Sequence, residues 1–177
     1  MRTINYIIYA VLVVAMTLSS CSKESPSPGA EENQPIEVEG EIKGNSWLVN
    51  GSDLPSPSMR NDYDRLEFDV DDQLNFSWKW VQKNGQIFEM TGYIHQEKSA
   101  YEHENGASIW NLYLNVTHIN GQNLPGGYYG IYSYSDPSTL LLNVEPDVTN
   151  WGDHPEASKG LGSGASGLES VYAFTKQ

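Results

Sequence analysis

The single thiol of this 177-residue chain, Cys21, follows the small residues Ser19 and Ser20 and stands outside any apolar strand pattern. One cysteine makes no intramolecular disulfide and excludes the multi-cysteine zinc and iron–sulfur sites. The four histidines, His95, His103, His118 and His154, lack partners at the i+2 or i+4 spacing common in zinc sites. Asp62, Asp64, Asp69, Asp71 and Asp72 offer carboxylate oxygens, the donors calcium prefers, but their spacing is not that of an EF-hand loop and its glycine is missing. They read as a solvated turn. Asp153-His154 has the composition of two triad members, yet no G-x-S-x-G elbow, H-E-x-x-H pair or phosphate-cradling glycine loop accompanies it. The expectation is a protein that is not an enzyme and carries neither metal nor cofactor. Five Trp, 11 Tyr and 4 Phe form the richest chemical group. Such rings combine a large apolar body with a polar handle, suiting them to a core or to a ligand cavity. Trp78, Trp80, Trp110 and Tyr132, with Trp151, are the candidate lining residues.

Ten Lys and Arg against 23 Asp and Glu give a net charge of −13. That balance argues against nucleic acid as a partner, because phosphate neutralisation needs clustered cations. Residues 1–20 open with Arg2, continue as an apolar run from Tyr6 to Leu18 and end in small residues, the pattern of a secretory signal. At 13 residues the run is shorter than the roughly 17–25 a membrane-spanning helix requires. Leu18-Ser19-Ser20-Cys21 resembles the lipobox of bacterial lipoproteins. The resemblance implies cleavage before Cys21 and acylation of its thiol, so that the protein's first partner is a membrane. Ser22-Lys23-Glu24 resembles, in shortened form, the export signal of surface lipoproteins in Bacteroidetes-type bacteria. It implies an outer-membrane location facing outward, with a periplasm-facing protein as the alternative. Residues 21–40 are rich in Pro, Ser, Glu and Gln and cannot bury enough apolar area to offset chain entropy, so they read as a disordered tether.

Residues 41–177 must position any site, and their pattern is that of strands. Leu74, Phe76, Trp78 and Trp80 alternate with polar residues and are followed by Asn84-Gly85, a pair that permits a type I′ hairpin turn. Further strands are expected over 47–50, 66–70, 87–95, 109–119, 128–134, 140–144 and 171–175, with Asn120-Gly121 and Ser135-Asp136-Pro137-Ser138 as turns. The fold expected is all-β: about eight antiparallel strands in a meander that closes into a barrel, with a β-sandwich as the alternative. Residues 149–170, with Trp151 and then Gly160, Gly162, Gly164 and Gly167 among serines, read as a flexible loop that either covers a barrel mouth or has no role.

Ile42-Lys43-Gly44-Asn45-Ser46-Trp47 resembles the opening G-x-W strand of lipocalin-like domains, although two residues rather than one separate Gly44 from Trp47. Tyr128 to Tyr134 with Ser138 to Leu142 is similar to their late hairpin, and Val171 to Lys176 to their closing strand. The resemblance implies an open-ended cup for a small apolar molecule, with a Trp plugging the closed end. The function expected first is therefore a lipid-anchored barrel binding a small apolar or amphipathic ligand without catalysis. Outward-facing aromatics would instead make a glycan-binding or adhesion module, and an apolar surface patch a structural partner of another envelope protein.

Overall fold

The computed structural model describes residues 42–148 and 153–177; the signal, Cys21, the tether and Trp151 lie outside the described residues. Eight strands follow in order: β1 (Asn45–Asn50), β2 (Tyr63–Val70), β3 (Asn75–Gln82), β4 (Ile87–Glu102), β5 (Ser108–Ile119), β6 (Gln122–Asp136), β7 (Thr139–Pro146) and β8 (Val171–Lys176). A short helix, α1 (Pro57–Asp62), lies between β1 and β2. Each strand pairs antiparallel with the next, and β8 returns to β1 through Trp47↔Lys176 and Leu48↔Thr175, closing the barrel. Closure leaves no open edge for a sandwich or for edge-to-edge pairing.

Alternation decides which side chains enter the barrel. Trp47 and Val49, Leu66 and Phe68, Phe76 and Trp78, Leu112 and Leu114, Tyr132 and Tyr134, Leu140 and Leu142, and Tyr172 and Phe174 are all buried in one cluster. Their rings touch across the lumen as well as along the wall. Trp78 on β3 lies 6.2 Å from Tyr128 on β6 and 5.7 Å from Tyr172 on β8. Phe68 on β2 lies 6.0 Å from Phe174 on β8, and Trp47 on β1 lies 5.8 Å from Tyr134 on β6. An eight-stranded barrel has an interior of the size that side chains or one small ligand occupy. Along most of this barrel, rings occupy it.

Three local expectations change. At Asn84-Gly85 only Gly85 has positive φ, and Gln82 pairs with Gln86 around three residues, so the turn is a glycine-bulged one. Asn120 and Gly121 do both take positive φ, as a type I′ turn requires. Leu74 is a turn residue at φ 65°, because the Asp71 carboxylate binds the N–H groups of Gln73 and Asn75 and starts β3 one residue later. Finally, β4 and β6 are much longer than 87–95 and 128–134. Their extra residues, such as Glu97-Lys98-Ser99 and Gln122-Asn123-Leu124, carry no useful alternation. Cross-strand pairing with β5 extends them instead.

Residues 153–170 form a strap on the outside of the barrel. Asn143 and Glu145 alternate with inward-facing Leu142 and Val144, so they point outward, yet both are buried. Asn143 accepts from Gly162 N–H (2.8 Å) and donates to Ser170 Oγ (2.7 Å). Glu145 accepts from the N–H (2.9 Å) and hydroxyl (3.1 Å) of Ser166. Ala157 packs on outward-facing Ile109 and Ile131. Burying these polar groups is tolerated because the strap supplies their partners. The expectation of a loose loop over the mouth is thus corrected for 153–170, which has a bonded place on the wall.

Candidate functional site

The four described candidates fall into two pairs at different levels of the barrel. Trp78 and Trp80 are neighbours on the inner face of β3, ring centroids 5.4 Å apart. Trp110 on β5 stacks on Tyr132 of β6 at 5.8 Å with only 11° between the planes. Trp78 and Tyr132 are 1 % and 0 % exposed and belong to the packed core. The Tyr132 hydroxyl donates to Gln96 Oε1 at 2.7 Å. Trp110 lies near the start of β5, toward the end where β1 begins, and Trp80 lies toward the opposite end, where β1 runs out into α1. All four belong to or pack against the one core cluster, at different levels of the barrel.

Burial along the inner face falls toward both ends, with Leu74 and Trp110 partly exposed where β1 begins and a larger group partly exposed at the α1 end. At the α1 end, Trp80, Phe88, Ile119, Tyr128, Tyr63 and Met59 pack against the core yet remain partly exposed. Tyr63, the first residue after α1, meets Trp80 edge-on at 5.4 Å, and Trp80 meets Phe88 at 6.5 Å. The sequence places these rings by simple registration, since Trp80 pairs with Leu66 and with Phe88 across β2–β3–β4. The indole N–H of Trp80 is buried without a hydrogen-bond partner, as are those of Trp47 and Trp78. Burial pushes the Tyr128 phenol up from its ordinary value, so its hydroxyl stays protonated and able to donate. Together these groups form an apolar rim with donors inside it.

Three of the five aspartates have partners of their own. Both Asp71 oxygens serve the β2–β3 turn, one toward the N–H groups of Gln73 and Asn75 and the other toward Asn75 Nδ2. Arg65 bridges Asp64 and Glu67 at 2.9 and 2.7 Å, and Lys79 reaches Asp69 at 4.0 Å. Among the described residues His154 Nδ1 is buried without a hydrogen-bond partner, and its ring rests 4.8 Å from Tyr129.

A second aromatic group lies on the outer face of β4–β6; the sequence allows for outward-facing rings there, but these residues are not among the candidate lining residues. Cross-strand register sets His95 beside Tyr113 and Tyr113 beside Tyr129, with Tyr93 beside Asn115 and Glu97 beside Asn111. The Tyr113 and Tyr129 rings lie 4.6 Å apart, tilted by 45°. Tyr113 donates to Asp147 at 3.3 Å, and Asn115 Nδ2 donates to the Tyr93 hydroxyl at 2.7 Å. Gly127 leaves room for the Tyr113 ring, since a Cβ there would meet its hydroxyl and make the ring shift. A hollow of about 320 Å³ is lined by His95, Glu97, Asn111, Tyr113 and Tyr129 among others. The adjacent run Tyr128-Tyr129 held the signal, since alternation must send one of its two rings outward. No family model matches the chain, and no match to it was found among curated proteins or among solved structures.

Proposed function

We propose that this protein is a lipid-anchored component of the bacterial cell envelope that binds a small amphipathic molecule at the α1 end of its barrel without chemically changing it. The observation that carries the reading is the cluster of partly exposed Trp80, Phe88, Ile119 and Tyr128 at this rim, larger than the Leu74 and Trp110 left partly exposed at the other end, with sealed rings between them. An acyl or ring-shaped body covers those apolar faces, and an acceptor such as a carboxylate meets the unpaired indole N–H of Trp80. Contacts of this kind combine apolar burial with one orienting polar group, the usual composition of a small-molecule site. The lipobox-like Leu18-Ser19-Ser20-Cys21 supports acylation at Cys21, and Ser22-Lys23-Glu24 supports an outward-facing position on the outer membrane. Acyl chains contribute about 0.8 kcal/mol per buried CH₂, so anchoring of this kind needs no apolar patch on the barrel.

Two experiments test these parts separately. Dodecanoate at 100 times its Kd stabilises the fold by about 2.7 kcal/mol in thermal denaturation, and Ile119→Asp at the rim removes the effect. No stabilisation by fatty acids, sterols or other apolar ligands would contradict binding at the rim. In cells, Cys21→Ala loses labelling by a fatty-acid probe; labelling that persists would contradict the anchor.

A further inference from the structure

We propose a second site, independent of the rim, in which the outer face of β4–β6 binds an uncharged oligosaccharide chain. The outer surface is not chemically uniform. Over β2 and β3 it carries ordinary solvated charges that pair with one another, Arg65 with Glu67 and Lys79 with Asp69. Over β4–β6 the equivalent positions carry Tyr93, His95, Asn111, Tyr113, Asn115 and Tyr129. Tyr93 is 39 % and Tyr129 41 % exposed, a large apolar area for the solvent side of a barrel wall. The rings are also held. Asn115 fixes the Tyr93 hydroxyl, Asp147 fixes that of Tyr113, and Gly127 leaves room for the Tyr113 ring to lie over β6. Tyr129 lies between Tyr113 at 4.6 Å and His154 at 4.8 Å yet keeps two-fifths of its surface open, and that open part, with exposed Tyr93, is what a pyranose would cover.

The shape is that of a furrow. The hollow of about 320 Å³ beside Tyr113 and Tyr129 adjoins another of about 500 Å³ between the end of β4 and the strap. Glu97 and Asn111 line both, and Tyr101, Glu156 and Ser158 line the second. A furrow longer than one ring suits a chain of sugars. Its amides, hydroxyls and carboxylates can exchange hydrogen bonds with sugar hydroxyls in either direction.

Charge selects among polymers. Lys98 lines the second hollow beside Glu97, and Lys159 pairs with Glu156 at 3.0 Å. The lining thus has no cationic excess, which disfavours a sulfated or phosphorylated chain, and the lysines beside Glu97 and Glu156 weaken the hold of those carboxylates on a basic peptide.

An array of neutral glucans, mannans, galactans and xylans, with hexalysine and dextran sulfate beside them, tests the proposal on the whole chain. At least one neutral oligosaccharide is retained. Tyr129→Ala weakens it about ten-fold or more, as expected for an aromatic anchor, while Tyr129→Phe keeps most of the affinity. Lys79→Ala on the β2–β3 face leaves binding unchanged, and the thermal midpoints of all three variants stay close to that of the parent. Retention of no neutral glycan, retention of hexalysine or dextran sulfate instead, or binding indifferent to Tyr129→Ala overturns the proposal.

Discussion

On the inner side of the β4–β6 wall, Trp110 stacks on Tyr132, and Tyr132 meets Tyr134 at 6.1 Å with both tyrosines buried. On the outer side of the same strands, Tyr113 leans on Tyr129 and Tyr129 on His154, yet Tyr129 keeps two-fifths of its surface open. The side chains are of the same types and the register is the same; what differs is the number of directions from which each ring is covered. Inside, rings from β3, β6 and β8 meet in the lumen and exclude water. Outside, the strap is bonded to Asn143 and Glu145, packs Ala157 on Ile109 and Ile131 and touches Tyr129 through His154, but it leaves Tyr93 and part of Tyr129 open. Aromatic richness alone therefore does not mark a site. A ring becomes available for binding where a neighbouring element stops short of it, as at the α1 rim and along the outer furrow.

That contrast is sharpest in stability. Trp78→Ala removes a ring in contact with three strands and costs about 3–5 kcal/mol in urea denaturation, whereas Tyr129→Ala stays within about 0.5 kcal/mol. Equal losses at both positions would break the distinction between core and surface rings. The strap gives an intermediate effect. Asn143→Ala leaves the Gly162 N–H and Ser170 without their buried partner and costs about 1–3 kcal/mol. It also speeds proteolysis within residues 153–170, while circular dichroism reports an intact barrel. If cleavage there is no faster, the strap is held by Ala157 and its apolar neighbours instead.

The smallest effect concerns the β2–β3 turn. The Asn75 side chain, together with the N–H groups of Asn75 and Gln73, holds the Asp71 carboxyl below its ordinary range. A depressed folded value stabilises the protein above the unfolded value of about 3.9 and ceases to do so as pH falls through the folded one. Asp71→Asn accordingly lowers the thermal midpoint at neutral pH and flattens its decline below about pH 4. An unchanged acid profile would assign the turn's stability to its backbone bonds alone.

Strand positions and barrel closure were legible because Phe76-Ser77-Trp78 and Leu112-Tyr113-Leu114 alternate cleanly and Asn120-Gly121 specifies its turn. The ends of β4 and β6 were not, since Glu97-Lys98-Ser99 becomes a strand only when β5 lies beside it. Neither was the strap. Its glycines and serines look loose in the sequence, and nothing local shows that Asn143 and Glu145, in a run that otherwise reads as core strand, are its anchors. The candidate rings were legible as a group, but not their sorting. Trp78 and Trp80 share one parity and one sequence motif and both meet Tyr172, but Trp78 also meets Phe68 and Tyr128 from β2 and β6 and is sealed, while Trp80 stays partly open.

The indole ¹H–¹⁵N spectrum tests this sorting most directly, because the chain has five tryptophans and each contributes one side-chain signal. On titration with dodecanoate, the Trp80 indole signal moves in step with binding, while those of Trp47 and Trp110, toward the other end of the barrel, hold their positions. A saturable dodecanoate complex that leaves Trp80 unmoved, or that shifts Trp47 and Trp110 as much as Trp80, would contradict a binding site at the α1 rim.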